Sequence, residues 1–154
     1  MTDLFAAIEG SALATWTRES PSIWAYPTIL TLHTFGLAVV VGANTVVDFR
    51  LLGFGRRIPV PALQSLFPVM WWAFALNFVT GILLFMADAV NKSTQIVFYV
   101  KLSLIALALV TVRGVRNALD DTALEATSRV RNLALLSLVL WTGAIIAGRL
   151  MAYL

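Results

Sequence analysis

Residues 22–53 read SIWAYPTILTLHTFGLAVVVGANTVVDFRLLG, and they carry the only histidine of the chain, His33. The run is longer than the roughly 20 apolar residues a helix needs to cross a bilayer. Pro27 suits a first helical turn, where its missing N–H leaves no bond unmade. Trp24 and Tyr26 suit a membrane–water interface. Gly53 and Gly55 stop the run, and Arg56, Arg57, Pro59 and Pro61 follow. The stretch therefore predicts a spanning helix over 23–52.

Three further apolar runs follow, over 66–87, 96–116 and 132–153. Backbone groups in hydrocarbon must bond within their own segment, so each is read as a helix. The 154 residues are 60% hydrophobic and 12% charged, against about a quarter charged in a soluble domain. The fold class expected is all-α: one integral-membrane domain, a four-helix bundle in the lipid bilayer. At the start, Leu4, Phe5, Ile8, Ala12 and Trp16 recur at helical spacing and predict one short interfacial helix over 3–17. Asp3 and Glu9 interrupt it, unlike the core of a signal peptide. Residues 120–130 read as a polar, helical connection.

Composition also excludes chemistry. The chain has no cysteine, which removes disulfides, thiolates, iron–sulfur clusters and cysteine zinc sites. The net charge of +3 is spread over the ends of apolar runs, so no nucleic-acid partner is expected. No catalytic triad, phosphate loop or zinc motif is present. The basic residues fall unevenly. Arg50, Arg56 and Arg57 flank one connection and Arg113, Arg116, Arg129 and Arg131 another, whereas Arg18 and Lys92 stand alone. The positive-inside rule puts the arginine-rich connections in the cytoplasm. Both termini then face outward from a bacterial inner membrane.

This orientation gathers polar residues of four helices toward one side: His33, Asp88, Lys101 and Arg149. Ionisable residues within spans usually face the bundle interior or a cavity. His33 has two readings. It is a neutral core histidine bonded to a carbonyl or to Thr80, or it is an axial ligand to haem iron. Gly36, one turn on, favours the second by leaving room for a flat macrocycle, with Phe35, Phe74, Phe78 and Phe85 as walls. Lys101 and Arg149 either snorkel to headgroups or pair with haem propionates, and Asp88 is placed to neutralise one of them. Met86 is the methionine placed to be a sixth iron ligand. At the other end, Asp48, Arg50, Arg113 and Arg116 are expected to form ion pairs. Asn44 and Asn77 are expected to bond across helices. The stripe with Ala144 and Gly148 is either a homodimer interface or internal packing.

The segments LHTFGLAVVVGANTVVDFRLLG (32–53), WWAFALNFVTGILLFMADA (71–89), FYVKLSLIALA (98–108) and WTGAIIAGRLMAY (141–153) resemble a family of small bacterial four-helix membrane proteins. They are more distantly similar to the copper-resistance D proteins and the HemJ-type protoporphyrinogen oxidases, which share a first-helix histidine followed by glycine and a third helix opening on aromatic-x-x-Lys. The HemJ-type likeness implies that His33 is a haem ligand or catalytic residue and Lys101 a functional cation. Members often have a second histidine late in the third helix, where this chain reads ALVTVRGVRN (108–117). That leaves a five-coordinate haem, a His/Met haem through Met86, or a haem bridging two copies of His33. The expectation is a haem b-binding membrane protein of electron transfer or small-ligand redox chemistry, its cofactor site drawn from His33, Gly36, Lys101, Arg149 and Met86, with His33 on the metal. The alternatives are an accessory subunit of a larger membrane complex and, less in keeping with a single histidine and no cysteine, a copper-transport protein.

Overall fold

The computed structural model describes residues 2–55, 57–120 and 128–153. Among these, the chain is all helical. Two short helices, α1 (Thr2–Glu9) and α2 (Ala12–Glu19), precede the first long one, α3 (Tyr26–Leu51). The rest are α4 (Val60–Gln64), α5 (Leu66–Met86), α6 (Ala89–Thr94), α7 (Ile96–Asp120) and α8 (Ser128–Leu150). Helices α3, α5, α7 and α8 are long and apolar enough to cross a membrane, so the chain is a multi-pass helical membrane protein. The connection expected over 120–130 falls largely on residues 121–127, outside the described residues.

Local chemistry sets the helix ends. Pro27 lies in the first turn of α3, and Gly53 (φ 100°) and Gly55 (φ 63°) take the left-handed backbone that follows it, a region open to glycine at little cost. Within the spans, hydroxyls are satisfied by the carbonyl one turn back: Thr31 donates to Pro27 O (2.8 Å), Thr34 to Leu30 O (2.9 Å) and Ser103 to Tyr99 O (2.9 Å). Such back-bonding lets Thr and Ser sit in an apolar surrounding without unmet donors.

The N-terminal region is two helices, not the single helix expected over 3–17. Ser11 caps α2 by accepting from Ala14 N (3.4 Å), which ends one helix and starts the next. Both dock on the protein. Arg18 reaches Ala87 O (3.2 Å), Glu9 accepts from Val90 N (2.8 Å), and Phe5 meets Phe85 edge-on at 6.1 Å. Leu4, Leu13 and Trp16 remain exposed and are available to a membrane interface.

The long helices form two antiparallel hairpins. Helix α3 packs on α5, α7 packs on α8, and the hairpins meet where α3 lies against α8. Glycine sets the first contact: a Cβ on Gly36 would come within 3.0 Å of Ala73 O and 3.2 Å of Asn77 N. Gly143 is in contact with Leu104 across α7 and α8, and Gly114 with Leu133. Small residues allow this close approach in a membrane, where apolar side chains alone give helices little reason to associate. One buried cluster, around Val47, Phe67, Met70, Val115 and Ala134, fills the arginine-rich end. A second, around Val40, Ala73, Ala108 and Trp141, fills the middle.

Helices α5 and α7 do not pack along their length. They are pinned at their ends. At the end bearing the termini, Phe85 stacks on Phe98 at 5.0 Å with an interplanar angle of 13°; at the other, the Arg113 guanidinium lies 5.7 Å over Trp71. Between these pins the bundle is open-sided. The glycine contact predicts that Gly36→Leu lowers stability in detergent by about 1–3 kcal/mol through overpacking, read by thermal unfolding. Gly42→Leu, with nothing within 4 Å of its Cβ position, is expected to melt like the native chain. Equal melting of both variants would contradict the assigned contact.

Candidate functional site

The open side leads to His33. A cavity of about 430 Å³ lies between α5 and α7, lined by Phe74, Asn77, Phe78, Gly81, Ile82 and Phe85 from α5 and by Phe98, Lys101, Leu102, Ile105, Ala106 and Leu109 from α7, with His33 from α3. A smaller cavity of about 220 Å³ lies at the termini end, with Tyr26, Leu30, Lys92, Gly148 and Met151 in its wall. His33, Gly81, Phe85, Phe98 and Lys101 line both. The wide cavity is almost wholly apolar, and the ionisable groups in its wall are His33 and Lys101.

His33 is fixed by α5. Its Nδ1 lies 2.9 Å from Asn77 O and 3.1 Å from Thr80 Oγ1, while Asn77 Nδ2 returns a bond to His33 O at 2.7 Å. Thr80 Oγ1 also lies 2.7 Å from Leu76 O, so its one proton is engaged by its own helix. A carbonyl accepts only. The bond to Asn77 O therefore puts a proton on Nδ1 and leaves Nε2, in the neutral ring, with a free lone pair. Nε2 has no hydrogen-bond partner among the described residues. The core-histidine reading of the sequence is thus met at Nδ1, and the same bond presets the tautomer that a metal-binding Nε2 requires. Ring and backbone come close at Gly81, where a Cβ would lie 3.1 Å from His33 Cε1.

Lys101 enters from α7 and lies across Gly148 of α8, whose Cβ position is 3.4 Å from Lys101 Cε and 3.6 Å from Nζ. It has no hydrogen bond or ion pair among the described residues. Asp88, expected to be able to neutralise it, instead pairs with Lys92 at 3.0 Å. A half-buried ammonium without a counter-ion, beside a free imidazole nitrogen, leaves anion-binding capacity at the head of an apolar cleft.

Not every residue singled out in the sequence joins this site. Gly36 is buried against the α5 backbone, so the space it leaves is occupied by a helix; the glycine that faces the imidazole is Gly81. Arg149 is turned outward, donating to Tyr153 Oη at 2.9 Å and stacking on that ring at 5.2 Å. Met86 is in the wall of neither cavity, whereas Met151 lines the smaller one. Phe35 is exposed, and Phe98 takes the place expected for it. Ala144 is buried within the bundle and Gly148 lies on Lys101, which makes that stripe internal packing. Gly81 carries no motif of its own, and its common depth with His33 and Lys101 is the signal that could have found it; Phe98 is the aromatic of the aromatic-x-x-Lys pattern that ends on Lys101.

At the arginine-rich end the expected ion pairs are replaced by other contacts. Asp48 is fully buried and bonded to Asn44, Arg50 donates to Ile58 O (3.1 Å), and Arg113 rests on Trp71. Asn44 and Asn77 do bond across helices, to Ser137 and to His33 O. No group of three or more His, Cys, Asp or Glu side chains able to hold a metal occurs among the described residues. No protein-family model, curated protein or solved structure matches the chain.

With one histidine in the chain, the tautomer can be read directly. A ¹⁵N-histidine spectrum of the ligand-free protein above pH 8 is expected to show Nδ1 protonated and Nε2 bare. The reverse pattern would contradict the bond to Asn77.

Proposed function

We propose that this is a haem b-binding protein of a bacterial inner membrane, holding its cofactor in the half of the bilayer nearer the termini and serving electron transfer or small-ligand redox chemistry. The observation that carries the reading is the preset Nε2 of His33 beside the unpaired Lys101 at the head of an apolar cleft. The residues suit the group: an imidazole with its Nδ1–H engaged, four aromatic rings in the walls, a glycine where a side chain would meet the ligand ring, and a cation for a carboxylate. Haem b is a planar apolar molecule with a carboxylate edge, and the open seam between α5 and α7 would admit it from the lipid. When bound, it supplies one-electron chemistry or an iron position for a small ligand. His33 would bind the iron, Asn77 and Thr80 would orient the imidazole, and Lys101 would meet a propionate.

The positive-inside rule supports the orientation, with Arg50, Arg56, Arg57, Arg113, Arg116, Arg129 and Arg131 cytoplasmic and both termini outside. The resemblance to the HemJ-type proteins supports the same role for His33 and Lys101. A methionine as sixth ligand finds better support at Met151, in the wall of the smaller cavity, than at Met86.

Protein purified from haem-replete cells is expected to show a Soret band that His33→Ala abolishes. Thr80→Val, which removes one contact to Nδ1, is expected to weaken haem retention roughly 10-fold, and Lys101→Met to weaken retention while keeping the band position. A colourless native protein, or a band unchanged in His33→Ala, would overturn the assignment and favour an accessory subunit of a larger complex.

A further inference from the structure

A second polar centre lies in the opposite half of the bundle, and the haem reading makes no use of it. Asp48 of α3 has 0% of its surface exposed. Its Oδ2 accepts from Asn44 Nδ2 at 2.6 Å, and Asn44 Nδ2 also donates to Ser137 Oγ of α8 at 2.8 Å. The other oxygen, Oδ1, is buried with no hydrogen-bond partner. Ser137 and Asn44 are themselves buried.

Among the described residues, no basic side chain pairs with this carboxyl. On its own helix Arg50 is turned to Ile58 O. From α7, Arg113 is engaged over Trp71 and Arg116 is exposed; from α8, Arg129 and Arg131 are exposed. Helices α4 and α5 contribute no titratable group. An isolated carboxylate in an apolar interior carries a desolvation cost that nearby hydrogen bonds offset only in part, so a positive charge must come to it. The side chain bonded to it presents a donor: the Asn44 amide faces it with NH₂. A metal ion would need several oxygens turned the other way. A proton needs one free oxygen, and Oδ1 is that oxygen.

We propose that Asp48 is a proton-binding site inside the membrane, with Oδ1 carrying the exchangeable proton and Asn44, itself bonded to Ser137, holding Oδ2. It stands 15 residues from His33 on α3, about 22 Å at 1.5 Å per residue, nearer the arginine-rich end. The proposal is independent of the haem reading.

Infrared difference spectroscopy of the full chain in lipid tests it. At pH 7 exposed Asp and Glu are ionised, so the native protein is expected to show a protonated-carboxyl C=O band that shifts on ¹³C-aspartate labelling and is absent from Asp48→Asn. Labelling uses the native chain, so the test survives a variant that fails to fold. No such band, a band unmoved by aspartate labelling, or one that persists in Asp48→Asn would overturn the proposal. So would a carboxylate band that responds to Na⁺ and not to choline, which would make the occupant a metal ion.

Discussion

In a bilayer the apolar side chain gains nothing by leaving lipid for protein, and helices associate where their backbones can come close. That constraint governs this molecule. Gly36 brings α3 against Ala73 and Asn77 of α5, and Gly143 and Gly114 seat leucines between α7 and α8. Two hairpins result, joined through α3 and α8. Between α5 and α7 no glycine contact operates. There a Phe85–Phe98 stack and a guanidinium over Trp71 pin the two ends, and the seam between those pins is the apolar cavity.

The polar chemistry follows from the same pairing. Close packing of α3 on α5 puts the Asn77 carbonyl within 2.9 Å of His33, and the bond selects the tautomer. Close packing of α7 on α8 lays Lys101 along Gly148, while Asp88 is held by Lys92. Each hairpin thus delivers one group, an imidazole nitrogen from the first and an ammonium from the second, to the seam that separates them. The α3–α8 contact that joins the hairpins encloses the other polar centre, Asp48 with Asn44 and Ser137.

Much of this was legible in the residues. The four spans follow from apolar length, and the shared depth of His33 and Lys101 follows from counting turns from each span's end. The cross-helix roles of Asn44 and Asn77 follow from their place in mid-span. What the residues could not show was rotation about each helix axis. Gly36 and Gly81 are both small residues at reach of His33, and only the packed helices show that the first meets backbone and the second meets the ring. Arg149 and Lys101 both lie within an apolar span, near its end on the side of the termini. One finds Tyr153 on its own chain end and turns outward; the other faces a glycine and turns in. Asp48 beside Arg50, Arg113 and Arg116 reads as part of an ion-pair set at the helix ends, whereas the packed helices bury the aspartate and leave Arg50 on Ile58 O.

The central claim is the open seam, and a cysteine-free chain lets it be measured by pairwise crosslinking in lipid. With one cysteine pair per protein under mild oxidation, Leu104→Cys with Gly143→Cys, in contact across α7 and α8, is expected to form a disulfide readily. Phe78→Cys with Ile105→Cys, one in each of the two helices that wall the cavity, is expected to remain reduced. Rapid bridging of the second pair would mean that α5 and α7 pack side by side, leaving no cleft for a ligand to enter.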